Sequence, residues 1–159
     1  MTFNPQLTVL VASCDKYLDV LRIFSTLFQK YWSDCPFERV LVTETPPSAF
    51  NTLVFNRIVA CGRGRPWCDM LVEALDQVHT PYVILLMDDY FLDGPVNTSQ
   101  ILTRLEQARR FDAAALRLLP SPPATEVFDA SLGLMEYVKN TAYCVATQTS
   151  IWNRMFLRD

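Results

Sequence analysis

The 159-residue chain has a single histidine and an odd number of cysteines, five, with no Cys-x-x-Cys pair. The one histidine, His79, leaves few ways to build a Ser-His-Asp or Cys-His catalytic group. It stands at the end of a helical pattern before Pro81, where a helix-end role is favoured over a ligand or a base. The cysteine pattern argues against a zinc cage and a disulfide framework, and it favours reduced thiols.

Long apolar runs and an excess of basic residues are also missing. No stretch approaches the roughly 20 apolar residues of a membrane span, and the N-terminus lacks the basic region of a signal peptide. The 17 Asp and Glu outnumber the 14 Lys and Arg, and the net charge of −3 argues against a nucleic-acid binder. We therefore expect a cytoplasmic protein without a transmembrane segment, with attachment to the inner face of the membrane left open.

Half of the residues are hydrophobic, which suits one domain with a sizeable core. Buried strands are predicted at residues 7–12, 39–43 and 82–87, and further strands are predicted at residues 57–60, 113–119 and 143–147. Amphipathic helices are predicted at residues 17–31, 67–78 and 97–111. This alternation predicts an α/β fold with a mostly parallel sheet and helices on both sides, in a three-layer α/β/α, Rossmann-like arrangement.

The last residues predict one more helix, which begins near Thr149. Its apolar stripe consists of Ile151, Trp152, Met155 and Phe156. A helix of two turns is marginal, and such a stripe would be poorly covered. We therefore expect the fold to continue beyond the end of this chain, or a second copy of the chain to cover the stripe.

Two adjacent carboxylates, Asp88 and Asp89, follow the unbroken apolar run at residues 82–87. Ligands of open parallel sheets bind in the crevice beyond the carboxyl ends of the strands. The two like charges repel each other there, and a divalent cation with hard oxygen ligands would relieve the repulsion. The alternative is a polar loop in which one of the two carboxylates caps a neighbouring element. These residues alone favour the metal site and the polar loop equally.

Other strand ends bring polar residues toward the same edge. Asp15 follows the first predicted strand and Glu44 the second, while Arg63 and Arg65 precede the second helix. Asp15 could instead cap the helix that follows it. The Gly-Arg-Gly-Arg loop suits an anion site at a helix N-terminus or a flexible basic turn, and it is not a P-loop. Acids for a metal and guanidinium groups for phosphate together predict a nucleotide diphosphate carried with Mg²⁺ or Mn²⁺.

The segments LLMDDYFL and SIWNRMFL, with the aspartate after the first strand, resemble GT-A fold glycosyltransferases, the nucleotide-diphospho-sugar transferases related to the family 2 enzymes. The resemblance runs from Leu7 to about Leu157. Met87-Asp88-Asp89 stands for the Asp-x-Asp motif of the family, without its first acid. The resemblance implies one nucleotide-sugar-binding domain over residues 1–159 and a role in polysaccharide biosynthesis.

The resemblance also implies roles for individual residues. Asp89 would bind the metal that bridges the diphosphate, and Asp88 would contact the ribose or the water shell of the metal. Asp15 and Glu44 lie where members contact the base and the ribose, although most members have Asp at the second position. The donor would be a nucleotide-diphospho-sugar, and the acceptor would be a glycan or a lipid-linked molecule.

Arg63 or Arg65 would lie near the base or the phosphates. The catalytic base of inverting members follows the final strand, and this chain ends there at Asp159, so no base is assigned. The acceptor-side part of the domain is expected to be missing. The alternative is a shortened relative that holds a nucleotide sugar without turning it over. A phosphatase or phosphotransferase is disfavoured, because the aspartyl nucleophile of such folds follows the first strand.

Overall fold

The computed structural model describes residues 3–48 and 53–159. The strands of this part are β1 (Leu7–Ala12), β2 (Glu38–Thr43), β3 (Arg57–Ala60), β4 (Tyr82–Met87), β5 (Ala115–Arg117), β6 (Glu126–Asp129), β7 (Leu134–Glu136) and β8 (Ser150–Asn153). The α-helices are α1 (Leu18–Tyr31), α2 (Trp67–Gln77), α3 (Thr98–Arg110) and α4 (Arg154–Arg158). Among these described helices, none combines the length and the apolar character that crossing a membrane requires.

Six strands form one sheet in the order β3-β2-β1-β4-β8-β5. The pairs β1–β2, β1–β4 and β2–β3 are parallel. Strand β8 is antiparallel to both of its neighbours, so β5 runs in the same direction as β4. The predicted α/β fold with a mostly parallel sheet is therefore confirmed. Strands β6 and β7 form a separate antiparallel hairpin.

Alternate residues of the central strands enter two hydrophobic clusters. Leu7, Val9 and Val11 of β1 belong to a cluster with buried residues of α1 and α3. Leu10 belongs to a second cluster, with buried residues of α2. Every residue of β1 is buried. Because both faces of the strand are covered, its sequence is a continuous apolar run rather than an alternating pattern.

Helices α1 and α3 begin within one residue of the predicted positions. A short 3₁₀ turn at Asp15–Tyr17 precedes α1, whose apolar stripe includes the buried Phe24 and Phe28. Asn97 precedes α3, and its side chain accepts a hydrogen bond from the backbone N–H of Gln100 at 3.0 Å. Such a cap satisfies one of the backbone donors that the first helical turn leaves unpaired.

The C-terminal region differs from the prediction. Residues 143–147 form no strand, and the last strand of the sheet is β8 at Ser150–Asn153. The helix predicted from Thr149 begins only at Arg154, after Asn153, whose side chain caps it. A short Ile-Trp run suits a central strand, and periodicity cannot distinguish so short an apolar run from a helix.

This shift divides the predicted apolar stripe into two parts. Ile151 and Trp152 lie in β8 and are 0% and 3% exposed, whereas Met155 and Phe156 in α4 are 48% and 50% exposed. Half of the stripe is therefore covered within the chain itself, because β8 inserts between β4 and β5. A second copy of the chain over the exposed half stays a prediction.

Candidate functional site

The carboxyl ends of β1, β2, β3 and β4 meet at one edge of the sheet, and the backbone ladder continues past them. The N–H of Asp88 donates to the carbonyl of Ala12 at 3.1 Å. The N–H of Gly62 donates to the carbonyl of Glu44 at 2.9 Å. These bonds hold the loops after the four strands side by side, as the strand-end pattern predicts.

Asp88 is almost enclosed at this edge. Its side chain is buried, with 6% of the residue exposed, and its Oδ2 accepts a hydrogen bond of 2.6 Å from the hydroxyl of Ser13. Burial raises the pKa of the Asp88 carboxyl, the Ser13 bond opposes that shift, and the charge of Asp89 adds to it. Asp88 is thus fixed by the loop after β1, and it does not cap a helix.

Asp89 lies beside it but faces solvent. No ion pair within the described residues includes Asp89. Its backbone carbonyl accepts a hydrogen bond from Phe91 at 3.0 Å, which forms part of a tight turn after β4. The pair therefore consists of one buried carboxylate with a fixed partner and one exposed carboxylate.

Asp15 connects three loops. Its Oδ1 accepts hydrogen bonds from the backbone N–H and the hydroxyl of Thr45, at 3.1 and 2.9 Å, and its Oδ2 accepts from Nε of Arg63 at 2.8 Å. The Arg63 bond is the largest cause that lowers the pKa of Asp15. Neither the 3₁₀ turn nor α1 has a side-chain cap, so the interpretation of Asp15 as a helix cap is wrong.

Glu44 joins the same group, because its Oε2 accepts a hydrogen bond of 3.0 Å from the N–H of Asp15. Arg65 does not join it: its Nη1 bonds to the carboxylate of Glu73 in α2 and to the carbonyl of Cys61. The structure therefore brings Asp15, Glu44 and Arg63 together and turns Arg65 toward α2.

Two glycines shape the loop that carries the arginines. Gly62 and Gly64 have φ angles of +86° and +75°. Residues with a Cβ rarely adopt this left-handed region, whereas glycine adopts it readily. The two turns direct Arg63 across the sheet edge toward the loop after β1, and they direct Arg65 back onto α2.

A cleft of about 290 Å³ lies beside Asp15. Its walls come from the loops after β1, β2 and β3 and from the first turn of α1, with Thr45, Pro46, Pro47 and Arg63 among the lining residues. Asp88 and Asp89 lie outside its lining. The volume is close to the lower end of ligand pockets, about 300 Å³. The cleft thus offers apolar proline surface together with hydrogen-bonding groups.

Asp88 and Asp89 differ from a site built to hold a resident metal ion. Within residues 3–48 and 53–159, no three His, Cys, Asp or Glu side chains cluster closely enough to hold an ion. Mg²⁺ is commonly bound by one or two carboxylates together with substrate phosphates. Asp88 and Asp89 supply two carboxylates with hard oxygen donors. They therefore fit an ion that arrives with a phosphate ligand, and they do not fit a resident structural ion.

Sequence reasoning missed two hydroxyl residues of the site, Ser13 and Thr45. Each stands directly beside a strand end that carries a predicted acid. That position was the available signal, since a hydroxyl beside one strand end can donate to a carboxylate that follows the neighbouring strand, as Ser13 does to Asp88 and Thr45 does to Asp15.

Among solved structures, the chain is similar in fold to a glycosyltransferase. That structure is the crystal structure of S. aureus TarS, which matches with a TM-score of 0.54 and 14% sequence identity. The match covers 97% of this chain and 29% of TarS, so the chain spans less than a third of that protein's length. At this identity the likeness shows the fold alone. No family model and no curated protein matches the sequence.

Proposed function

We propose that the chain is the nucleotide-sugar-binding domain of a glycosyltransferase of the GT-A type, with the three-layer α/β/α arrangement over residues 1–159. The glycosyltransferase-like fold supports this proposal. The observation that carries it is the contact group of Asp15, Glu44 and Arg63, which lies at the carboxyl edge of the parallel strands. Open α/β sheets bind their ligands at this edge.

The cleft beside Asp15 is the proposed site for the nucleoside. A planar base would lie against the apolar surface of Pro46 and Pro47, which line the cleft. The ribose hydroxyls would donate to the carboxylate of Asp15, which lines the cleft. Glu44 is the weaker candidate, because it lies outside the lining and accepts from the N–H of Asp15. The lowered pKa of Asp15 keeps that carboxylate in its acceptor form at neutral pH.

Arg63 is the proposed partner of the diphosphate. Only its Nε takes part in the ion pair with Asp15, and 75% of its side chain is exposed. The terminal nitrogens of the guanidinium therefore remain directed to solvent, where they can bind phosphate oxygens in a forked geometry. Arg65 is the weaker candidate, because Glu73 holds its Nη1.

Asp89 would hold Mn²⁺ or Mg²⁺ together with the diphosphate, since it is exposed and next to the sheet edge. Asp88 would contact the ribose or the water shell of the metal, with its orientation fixed by the 2.6 Å bond from Ser13. When bound, such an ion acts as a Lewis acid that stabilises a leaving diphosphate. The acceptor, glycan or lipid-linked, the cytoplasmic location and the role in polysaccharide biosynthesis stay predictions, and no residue is assigned as the base.

Calorimetric titration of the purified chain with UDP and GDP tests the proposal. We expect at least one of the two to bind, with an affinity about tenfold higher in Mn²⁺ than in EDTA. Adenosine diphosphate and inorganic phosphate serve as controls for base recognition and for simple anion binding. The proposal fails if neither UDP nor GDP binds, or if their affinities are the same in Mn²⁺ and in EDTA.

A second candidate function is a binding module that holds a nucleotide sugar without turnover. The match covers 29% of TarS, so turnover by this chain is a separate proposal from donor binding. Hydrolysis of the donor sugar, measured with the nucleotide that binds best, separates the two candidates. Detectable metal-dependent turnover excludes the module, and binding without turnover excludes the complete enzyme.

A further inference from the structure

The 3₁₀ turn before α1 receives no hydrogen bond from the side chain that precedes it. The first N–H groups of a helix have no partner within the helix, and the side chain at the preceding position is a common acceptor for one of them. Cys14 holds that position and supplies no such bond. The N–H of Asp15 instead donates to Oε2 of Glu44 at 3.0 Å. Because Glu44 directly follows β2, the acceptor comes from a neighbouring loop.

The backbone at Glu44 is fixed on the side of β3. Its carbonyl accepts a hydrogen bond from the N–H of Gly62 at 2.9 Å, and the carbonyl of Thr43 accepts one from the N–H of Cys61 at 2.9 Å. These two bonds continue the β2–β3 ladder past the ends of both strands. The side chain of Glu44 therefore extends from a fixed backbone, and it fixes the position of the Asp15 N–H in turn.

Asp15 makes the reciprocal contact with the loop after β2. Its Oδ1 accepts from the N–H and the hydroxyl of Thr45, at 3.1 and 2.9 Å. Each loop thus presents a carboxylate to the backbone of the other loop. Oδ2 of Asp15 accepts only from Arg63. An ionised carboxylate has about four acceptor positions, so Oδ2 keeps one for a ligand.

The joined loops are the two walls of the nucleotide cleft. One wall comes from the loop after β1 and from α1, and the other begins at Thr45 and continues through Pro46 and Pro47. Asp15 belongs to the lining, whereas Glu44 does not. Glu44 therefore acts on the cleft through the position of Asp15.

We propose that Glu44 is a positioning residue of the nucleotide cleft. It holds the loop after β1 at Asp15, it sets the separation of the two walls, and it does not bind the ribose. The resemblance to GT-A enzymes implies a ribose contact for this residue, and the bond to Asp15 gives it a different role. This role depends on the proposed function only for the identity of the ligand.

Hydrogen exchange of the Asp15 amide, followed by NMR, tests the bond without a ligand. We expect exchange to be about tenfold faster in Glu44→Ala, because the amide loses its acceptor. Glu44→Gln should stay close to wild type, since its side-chain carbonyl can accept the same bond. Glu38→Ala is the matched control, because Glu38 lies at the other end of β2, where it pairs with Arg57. Equal protection of the Asp15 amide in wild type and Glu44→Ala overturns the proposal.

Calorimetric titration with the nucleotide that wild type binds tests the effect on the cleft. We expect Glu44→Ala to bind it about tenfold more weakly and Glu44→Gln to recover most of the affinity. The 2′-deoxy and 3′-deoxy forms of the nucleotide distinguish positioning from contact. Positioning predicts the same factor of loss for all three ligands, because groups that do not touch act additively. A loss that disappears with either deoxy form shows a ribose contact and overturns the proposal.

Failure of the proposed function gives a different result. If wild type binds neither UDP nor GDP while protection of the Asp15 amide still depends on Glu44, the nucleotide is wrong and the positioning of Asp15 is supported. Circular dichroism checks that each variant is folded. If Glu44→Ala fails to fold, Glu44→Asp decides the outcome, because it keeps the charge and shortens the side chain by one methylene. Wild-type amide exchange and wild-type affinity in Glu44→Asp would then contradict the proposal.

Discussion

The parallel part of the sheet, strands β3, β2, β1 and β4, differs in burial from the part around β8 and β5. The parallel strands β1 and β4 are almost entirely buried, and the charged groups of the candidate site lie beyond their ends. Around β5 and the β6–β7 hairpin, the strand residues are half-buried or exposed. Most of the exposed large apolar side chains are in this region: Leu119, Val127, Phe128, Met135, Val138, Tyr143, Val145, Met155 and Phe156. The parallel side thus contains the stable core and a polar site, whereas the other side presents apolar surface around a cavity.

The largest expected difference is in the loss of folding stability when a side chain is shortened in the parallel strands or in the β6–β7 hairpin. Leu85 in β4 is 0% exposed, and Leu85→Ala should lower the free energy of unfolding by about 2–5 kcal/mol, because it leaves a cavity in the core. Val127 in β6 is 61% exposed, and Val127→Ala should change that free energy by less than about 0.5 kcal/mol. Urea unfolding followed by circular dichroism measures both. Equal losses in the two variants would show that the hairpin belongs to the core.

A smaller effect is expected where the backbone shapes the polar site. Gly62→Ala places a Cβ at φ +86° and should destabilise the fold by about 1–2 kcal/mol. It should also weaken nucleotide binding, because the turn positions Arg63. Gly94→Ala is the matched control, since Gly94 has no positive φ and a Cβ there meets no atom within 4 Å. The prediction is wrong if thermal unfolding shows the same midpoint for both variants.

The buried carboxylate of the site should show its effect through pH. The raised pKa of Asp88 means that the folded chain binds this proton more tightly than the unfolded chain. This stabilisation is complete below the unfolded pKa, about 3.9, and it is lost as pH rises through the folded pKa. Asp88→Asn removes the dependence, so the variant should gain stability relative to wild type as pH rises toward 7. A difference that does not change with pH would contradict the burial of the charge.

Asp15 should behave in the opposite way. Its lowered pKa, caused chiefly by the Arg63 bond, gives stability that is present above the unfolded pKa and lost as pH falls through the folded pKa. Asp15→Asn should therefore be slightly less stable than wild type at neutral pH, and the two should converge in acid. Unfolding curves of wild type, Asp15→Asn and Asp88→Asn over one pH series measure both signs. Two shifts of the same sign would refute this contrast between the neighbouring loops.

Much of the parallel side could be predicted from the sequence, because long buried runs give a strong local signal. Strands β1 (Leu7–Ala12) and β4 (Tyr82–Met87) have the predicted bounds. Strand β8 could not be predicted, since its few apolar residues also suit a helix. Its position between β4 and β5 depends on pairing between residues distant in sequence.

For the candidate site, the sequence predicts which residues lie close together but not the partner of each side chain. The proximity of Asp15, Glu44 and Arg63 follows from strand ends that meet at one edge of a parallel sheet. The partners of individual side chains could not be predicted, because they depend on loop conformation. Arg65 is an example: the left-handed turns at Gly62 and Gly64 direct it to Glu73.

The most direct test is the Mn²⁺ dependence of UDP and GDP affinity in Asp89→Asn, measured by calorimetry beside Asp93→Asn. Asp93 is an exposed aspartate of the same loop and serves as the matched control. We expect Asp89→Asn to lose the enhancement by Mn²⁺ while its melting temperature stays at the wild-type value, and Asp93→Asn to keep both. A lowered melting temperature in Asp89→Asn with metal-dependent nucleotide binding intact would contradict the account and assign this carboxylate a purely structural role.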